Sequence, residues 1–308
     1  MKIAFMGSSS FSAIICEHIL NSGYEISTIY TRAPKPKGRG KQLHITELHQ
    51  LALKKNIAIQ TPKTFKNIDN QEEFKTHNFD VAIVASYGLI LPLSVLNAPK
   101  YGCINIHASI LPFYRGSSPI HMAIANGEIK TGITIMQMDE GLDSGDIIDI
   151  QTIEILQDTY FEELHNNLAH ISCPLIIKTL NKLKNNELLI KTPQDHSLAT
   201  FTKILQKEDG IINFNNNITN VYNQIRAFSL YPSAYFYYKN ELIKIIKAQP
   251  HFVKDSHKEG TIISLQPLMI SCKNGLLEII ELQRQGKNVL KAKDFLNGFK
   301  LNLNDIIQ

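Results

Sequence analysis

"KIAFMGSSSFSAIICEHILNSGYEISTIYT", residues 2–31, contains three elements in sequence. A short apolar run ends in Gly7. Phe11, Ile14, Ile15, Cys16, Ile19 and Leu20 then recur at helical spacing, and Gly23 supplies a stop. "YEISTIYT" follows as a second β-rich run. Strand, helix and strand in that order open a parallel sheet, because parallel neighbours need a crossover and a helix is the usual one. Farther along, "FDVAIVASYGLILP" (79–92) reads as a buried strand, Val81 to Ala85, running into a turn at Tyr87 and Gly88. "GCINIHA" (102–108) and "TGITIMQM" (131–138) add two more strands. The fold class predicted here is α/β, a doubly wound, mostly parallel sheet.

"LHNNLAHISCPLIIKTLNKLKNNELL" (164–189) has helical periodicity, and Pro193 with the polar run Gln194 to Ser197 reads as a linker. Beyond it, "YPSAYFYY", "ELIKIIKA", "EGTIISL", "LMISCKN" and "GLLEIIELQ" recur about every ten residues, as in a small β-barrel. The expected division is a first domain over 1–190, a linker over 191–204 and a second domain over 205–308.

The chain has 308 residues, of which 44% are hydrophobic and 19% charged, a composition of globular rather than disordered proteins. No apolar run reaches the length of a membrane span, so no membrane partner is expected. The apolar stretch after Lys2 is short and turns into Gly and Ser, which suits a first strand better than a signal peptide. Cys16, Cys103, Cys173 and Cys272 form no CxxC pair and read as reduced, buried cysteines of a cytoplasmic protein.

Net charge is +4; through residue 204 basic and acidic residues balance at 19 each, so the whole excess lies beyond it. Such a bias fits either a solvated surface or a weak footprint for a polyanion such as RNA. "TRAPKPKGRGKQL" (31–43) carries Arg32, Lys35, Lys37, Arg39 and Lys41 without one acid, interleaved with Pro and Gly. Two readings stand for it: a flexible surface loop, or a loop that orders on phosphate.

Chemistry enters with "CINIHASILPFYRG" (103–116). Asn105 and His107 are two apart, so on a strand both face one space. A single strand His is commonly a satisfied core residue, but two adjacent polar groups need partners. "MDEGLDSGDII" (138–148) puts Asp139, Glu140, Asp143 and Asp146 in a Gly-punctuated loop after a strand, where a carboxylate could reach His107. Ser109 shares the parity of His107 but sits in no GxSxG elbow, "GSSSFS" is not GxGxxG, and no metal-ligand spacing occurs. An amide, an imidazole and a carboxylate suit acyl or formyl transfer to an amine. The amide and imidazole would stabilise an oxyanion, and the carboxylate would orient the His and help move the amine proton.

"NIHASILPFYRGSSPIHMAIANGE" (105–128) followed by "TGITIMQMDEGLDSGDII" (131–148) closely resembles the tetrahydrofolate-dependent formyltransferases. The resemblance continues through "FMGSSSFS", "ASYGLILP", "RAFSLYPSAYF" (226–236) and "LQRQGKNVLKAKDFLNG" (282–298), and so covers the whole chain. It implies Asn105, His107 and Asp143 as catalytic residues. Ser109, Ile110, Leu111 and Pro112 would form a folate loop, and Tyr87, Gly88, Leu89 and Ile90 a folate edge. It implies 10-formyltetrahydrofolate as co-substrate without a metal, initiator methionyl-tRNA as acceptor, and a C-terminal OB-like barrel that binds tRNA. The basic residues of 31–43 would meet the acceptor stem, with Arg39 on the family's key basic position. The chain is expected to be a cytoplasmic monomer. Ile110 replaces the family's Leu, Ser follows Gly7 where Thr-Pro is familiar, and Leu230 stands where Pro is frequent. Rival readings are a folate-dependent formyltransferase acting on a small nucleotide or sugar amine, and a non-catalytic RNA-binding protein.

Overall fold

The computed structural model describes residues 1–37, 42–254 and 256–307. The chain divides into two compact units. One comprises Met1–Pro119, Thr131–Ile153 and His165–Thr202, the other Ile120–Lys130, Glu154–Leu164 and Lys203–Gln308. Two short segments of the earlier sequence thus cluster with the C-terminal residues, an arrangement that no single cut point describes.

The elements run β1 (Ile3–Gly7), α1 (Ser10–Asn21), β2 (Ile26–Tyr30), α2 (Glu47–Lys54), β3 (Ala58–Gln60), α3 (Ile68–Thr76), β4 (Val81–Ala85), α4 (Leu93–Leu96) and β5 (Cys103–His107). They continue with α5 (Pro119–Ala125), β6 (Lys130–Gln137), β7 (Ile147–Glu154) and α6 (Phe161–Lys184). The sheet order is β7-β6-β5-β4-β1-β2-β3. β1 is parallel to β2 and β4, β4 is parallel to β5, and β6 runs antiparallel to β5. This is the mostly parallel, doubly wound sheet expected. The chain moves outward from β1 to β3 and then returns to β4 on the other side of β1. That reversal falls between β1 and β4, and β5 lies parallel beside β4 with its carboxyl end on the same side, the end of such sheets where ligands are commonly bound.

Both faces of the central strands are covered. Ala4, Met6, Ala82 and Val84 pack with Tyr30, Phe65, Phe74, Phe79, Tyr87, Leu91 and Val95. The alternate residues Ile3, Phe5 and Ile83 are equally buried. A strand buried on both faces reads as a continuous apolar run, which is why these were visible in the sequence. Gly7 is required by space: a Cβ there would lie 2.4 Å from Ser12 Cβ and 2.7 Å from the Ala85 carbonyl. α1 therefore starts tight against the sheet, and Ser9 and Ser12 cap it reciprocally. Among the described residues no helix is long and apolar enough to cross a membrane.

The described residues of the 31–43 stretch include paired strands. Lys35–Lys37 pairs antiparallel with Gln42–His44, Lys35 opposite His44. Pro36 is tolerated because a two-stranded ribbon is all edge.

In the second unit, α7 (Ile218–Ala227) precedes β8 (Ala234–Tyr238), β9 (Glu241–His251), β10 (Ile262–Leu265), β11 (Leu268–Cys272), β12 (Gly275–Arg284), β13 (Val289–Lys291) and α8 (Ala292–Gly298). The sheet order is β8-β9-β12-β11-β10, with β13 on β12 and every pair antiparallel. Register shifts between Ile245 and Ala248 bend β9, as bulges do. Ile218, Val221 and Ile225 of α7 are buried with Ile243, Ile245, Leu277 and Ile279 of the sheet.

Candidate active site

β5 projects Asn105 and His107 to the same side, opposite Met136 and Thr134 of the antiparallel β6. Both are buried, as are Ile104 before them and Ile106 between them in the chain. Asp143 reaches this pair from the loop after β6. Its Oδ1 accepts from Asn105 Nδ2 at 3.3 Å, and its Oδ2 lies 3.6 Å from His107 Nδ1. The backbone N–H of Gly116 also donates to Oδ2, at 2.8 Å. Of the four loop acids, Asp143 is the one whose carboxylate meets β5 among the described residues. Asp139 instead accepts from Ser144 and the Gly141 N–H.

His107 Nε2 stands 3.0 Å from the Tyr114 carbonyl. A carbonyl only accepts, so Nε2 carries the hydrogen and Nδ1 is the nitrogen turned to Asp143. Asn105 Nδ2 bears two hydrogens, one of them committed to Asp143. The site thus combines amide donor, imidazole and carboxylate within one network.

The segment after β5 is folded back on itself. Ser109 donates to the Phe113 carbonyl. Thr134 donates to the Ser109 carbonyl and accepts from the Leu111 N–H. Leu111 is buried, while Ile110 and Pro112 are half-buried and Phe113 is exposed. At the end of β4, Tyr87 is buried and Leu89 packs against the core, whereas Ile90 is 82% exposed. Gly88 has φ +72°, and a Cβ there would meet Arg32 Nη2.

The basic residues do not all face solvent. Arg32 donates from Nε to the Tyr87 carbonyl at 3.3 Å and from Nη2 to the Gly88 carbonyl. It therefore braces the segment expected as a folate edge. Lys35 is exposed and Lys37 belongs to the ribbon. Arg39 and Lys41 lie outside the described residues. The four cysteines are free and buried. Burial pushes the Cys103 thiol, on β5 itself, up to about 12, so it stays protonated near neutrality.

Five residues around this network carried no functional expectation from sequence: Tyr114, Arg115, Gly116, Thr134 and Gln194, the last of them read as part of a linker. Gly116 has φ +107°, and a Cβ would strike the Thr202 carbonyl at 2.3 Å. The segment 191–204, expected as a linker, is built into this unit through Thr202. Phe201–Thr202 pairs with Arg115–Gly116, and Thr200 Oγ1 accepts from the Tyr114 N–H. Thr134 could have been found from strand parity, since it lies on β6 with the same alternation as the apolar core. Gln194 gave no such signal, because a polar run between two domains looks like solvent-exposed chain.

A buried amide and imidazole with a half-buried carboxylate at the carboxyl end of a strand, beside a thiol that stays protonated, suit group transfer. Residues 1–180 match the model of the formyl transferase family, and residues 204–300 match its C-terminal domain. The chain belongs to the formyl transferase family. Within it, the chain is 38% identical to the methionyl-tRNA formyltransferase of Paramagnetospirillum magneticum, over 97% of either chain. It is 39% identical to that of Dictyoglomus thermophilum, over 99% of either. The fold is also that of an N-formyltransferase from Helicobacter canadensis, crystallised with folinic acid and dTDP-3-aminofucose. That match has a TM-score of 0.68 and 20% identity, covering 91% of this chain and 99% of the other.

Proposed function

We propose that the chain transfers a formyl group from 10-formyltetrahydrofolate to the α-amine of initiator methionyl-tRNA, with Asn105, His107 and Asp143 as catalytic residues. The observation that carries this reading is the convergence of those three side chains at the carboxyl end of β5. They occur in a chain that aligns end to end with relatives bearing the corresponding name.

The residues around the site suit a folate. Ile90 and Phe113 offer exposed apolar surface. Tyr87 has a buried hydroxyl without a hydrogen-bond partner among the described residues. Burial pushes that phenol up and the Arg32 charge opposes the shift, so it remains a donor. Tyr87, Gly88, Leu89 and Ile90 would border the folate on one side, and Ser109, Ile110, Leu111 and Pro112 on the other. That the Helicobacter protein of the same fold was crystallised with folinic acid supports a folate as the ligand class. Lys35, Lys37, Arg39 and Lys41 would meet acceptor-stem phosphates, and the second unit would bind tRNA. Arg32 belongs with the folate edge, because its guanidinium is already engaged there. The reading takes the enzyme as a cytoplasmic monomer, as befits a translation enzyme.

The co-substrate supplies an electrophilic formyl carbon. The neutral amine forms the new C–N bond, and the carbonyl electron pair moves onto oxygen. The second Asn105 amide hydrogen donates to that oxyanion, and the His107 imidazole stands beside it as a further stabilising group. Asp143 accepts the surplus amine proton and orients His107. Cleavage of the bond to the folate nitrogen returns one proton to that nitrogen, so one N–H is exchanged for one N-formyl group.

The test offers labelled formyl donor in parallel to charged initiator tRNA, free methionine, glycinamide ribonucleotide and a sugar-nucleotide amine. Label entering methionyl-tRNA alone is expected. Label entering a small amine with equal or higher kcat/KM would overturn the reading.

A further inference from the structure

We propose that Gln194 is a positioning residue that holds Asp143 within reach of Asn105 and His107, and that Arg115 fixes the orientation of its amide. The inference rests on the catalytic reading of Asp143 and deepens it.

Gln194 is buried, although it lies in a polar stretch. Its Nε2 donates to the carbonyls of Asp143 at 2.9 Å and Gly145 at 2.7 Å. Both amide hydrogens are thereby used on the loop that carries the carboxylate. Its Oε1 accepts from Arg115 Nε at 3.2 Å and Nη2 at 2.7 Å. The opposite amide orientation would set an oxygen against two carbonyls and an NH₂ against a guanidinium, so the flip is forbidden. Arg115 is also buried, and its Nη2 stands 3.0 Å from His196 Nδ1, which must accept there. The backbone beneath Gln194 is fixed in turn. Ile147 and Thr192 exchange N–H···O bonds of 2.8 Å at the start of β7.

The Asp143 loop needs such a hold. Asp143 has φ +48°, a conformation that side-chain-bearing residues rarely adopt and keep only when their surroundings enforce it. Gly145 approaches the chain so closely that a Cβ would lie 1.9 Å from the Gln137 carbonyl. Asn105 and the Gly116 N–H hold the carboxylate end of Asp143, and Gln194 holds its backbone end. Without those two donors the carbonyls would turn to water and the carboxylate would shift. A displacement of about 1 Å in a catalytic group costs about a hundredfold in rate.

Gln194→Glu keeps the side-chain length and gives Arg115 a carboxylate, but it removes both donors to the loop. Gln194→Met removes them without adding charge. The experiment compares formyl transfer by the full chain for wild type, both variants, Asp143→Asn and the Gln194→Glu/Asp143→Asn double variant, alongside thermal melting. For a Gln194 variant that melts with the wild type, kcat should fall about 10- to 100-fold while KM for methionyl-tRNA stays within about threefold. The double variant should be no slower than Asp143→Asn alone, because loop position ceases to matter once the carboxylate is gone. Normal kcat in Gln194→Glu beside a slow Asp143→Asn would overturn the inference alone. So would losses that multiply in the double variant. Normal turnover by Asp143→Asn would overturn the catalytic reading, and this inference with it.

Discussion

Asn105 donates through Nδ2 to Oδ1 of Asp143 across 3.3 Å, although 38 residues separate the two in sequence. The bond fixes the amide plane, so the remaining Nδ2 hydrogen has a set direction before any substrate arrives. Such preorganised donors account for about 10²–10³ in rate when one is removed. Asn105→Ala should therefore lower kcat by about that factor, with KM for the formyl donor changed less than about threefold. Steady-state kinetics with methionyl-tRNA at saturation decides it; turnover close to wild type would remove Asn105 from the mechanism.

His107 is held at both nitrogens, by the Tyr114 carbonyl and by Asp143. His107→Ala should cost about 10² or more in kcat by loss of a stabilising group. Because Asn105 and His107 would serve one oxyanion, the double alanine variant should lose less than the product of the single losses. Multiplicative losses would mean that the two side chains serve different steps.

The central strands of the first sheet were legible because they are buried on both faces and so read as unbroken apolar runs, as in Val81–Ala85. The edge strands Ala58–Gln60 and Ile147–Glu154 are largely exposed and gave no such run. The shared face of Asn105 and His107 followed from strand parity alone. Three features were not legible. The Lys35–Lys37 and Gln42–His44 ribbon lacks apolar alternation, since charge and proline dominate it. Val289–Lys291 is a three-residue strand, wholly exposed, whose pairing comes from β12 rather than from its own side chains. Gln194 was hidden because a polar residue that binds buried carbonyls has the same composition as a solvated linker. Choosing Asp143 among four loop acids needed the family resemblance, because in each the local sequence allows a carboxylate at a strand end.

Gly7 offers a test of the fold apart from the chemistry. A Cβ at this position would stand 2.4 Å from Ser12 Cβ and 2.7 Å from the Ala85 carbonyl. One of those contacts is backbone and cannot swing away. Gly7→Ala should destabilise the first unit by about 1–3 kcal/mol, the usual scale of overpacking. Urea denaturation followed by circular dichroism measures this directly; an unchanged midpoint would show that α1 can move aside at no cost.

Two kinds of arginine stand within one basic stretch. Arg32 donates to the Tyr87 and Gly88 carbonyls, so its charge is committed to the end of β4. Arg39, in "GRGK", belongs by sequence to a run of positive charge that a phosphate backbone would neutralise. Contacts to phosphate release counterions, and each contributes roughly one unit to the slope of log affinity against log salt. Arg39→Ala should therefore weaken methionyl-tRNA binding and make that slope shallower by roughly one. Its KM for the formyl donor should not move. Arg32→Met should do the reverse. Losing two donors frees the Tyr87–Gly88 turn, which should raise KM for the formyl donor by about 3- to 10-fold while leaving the tRNA salt slope intact, given about 0.5–1.5 kcal/mol for a typical hydrogen bond. Binding titrations at several salt concentrations, paired with donor kinetics, measure both quantities on the same preparations. A shallower slope in Arg32→Met would return Arg32 to the tRNA surface, and an unchanged slope in Arg39→Ala would detach the basic stretch from phosphate recognition.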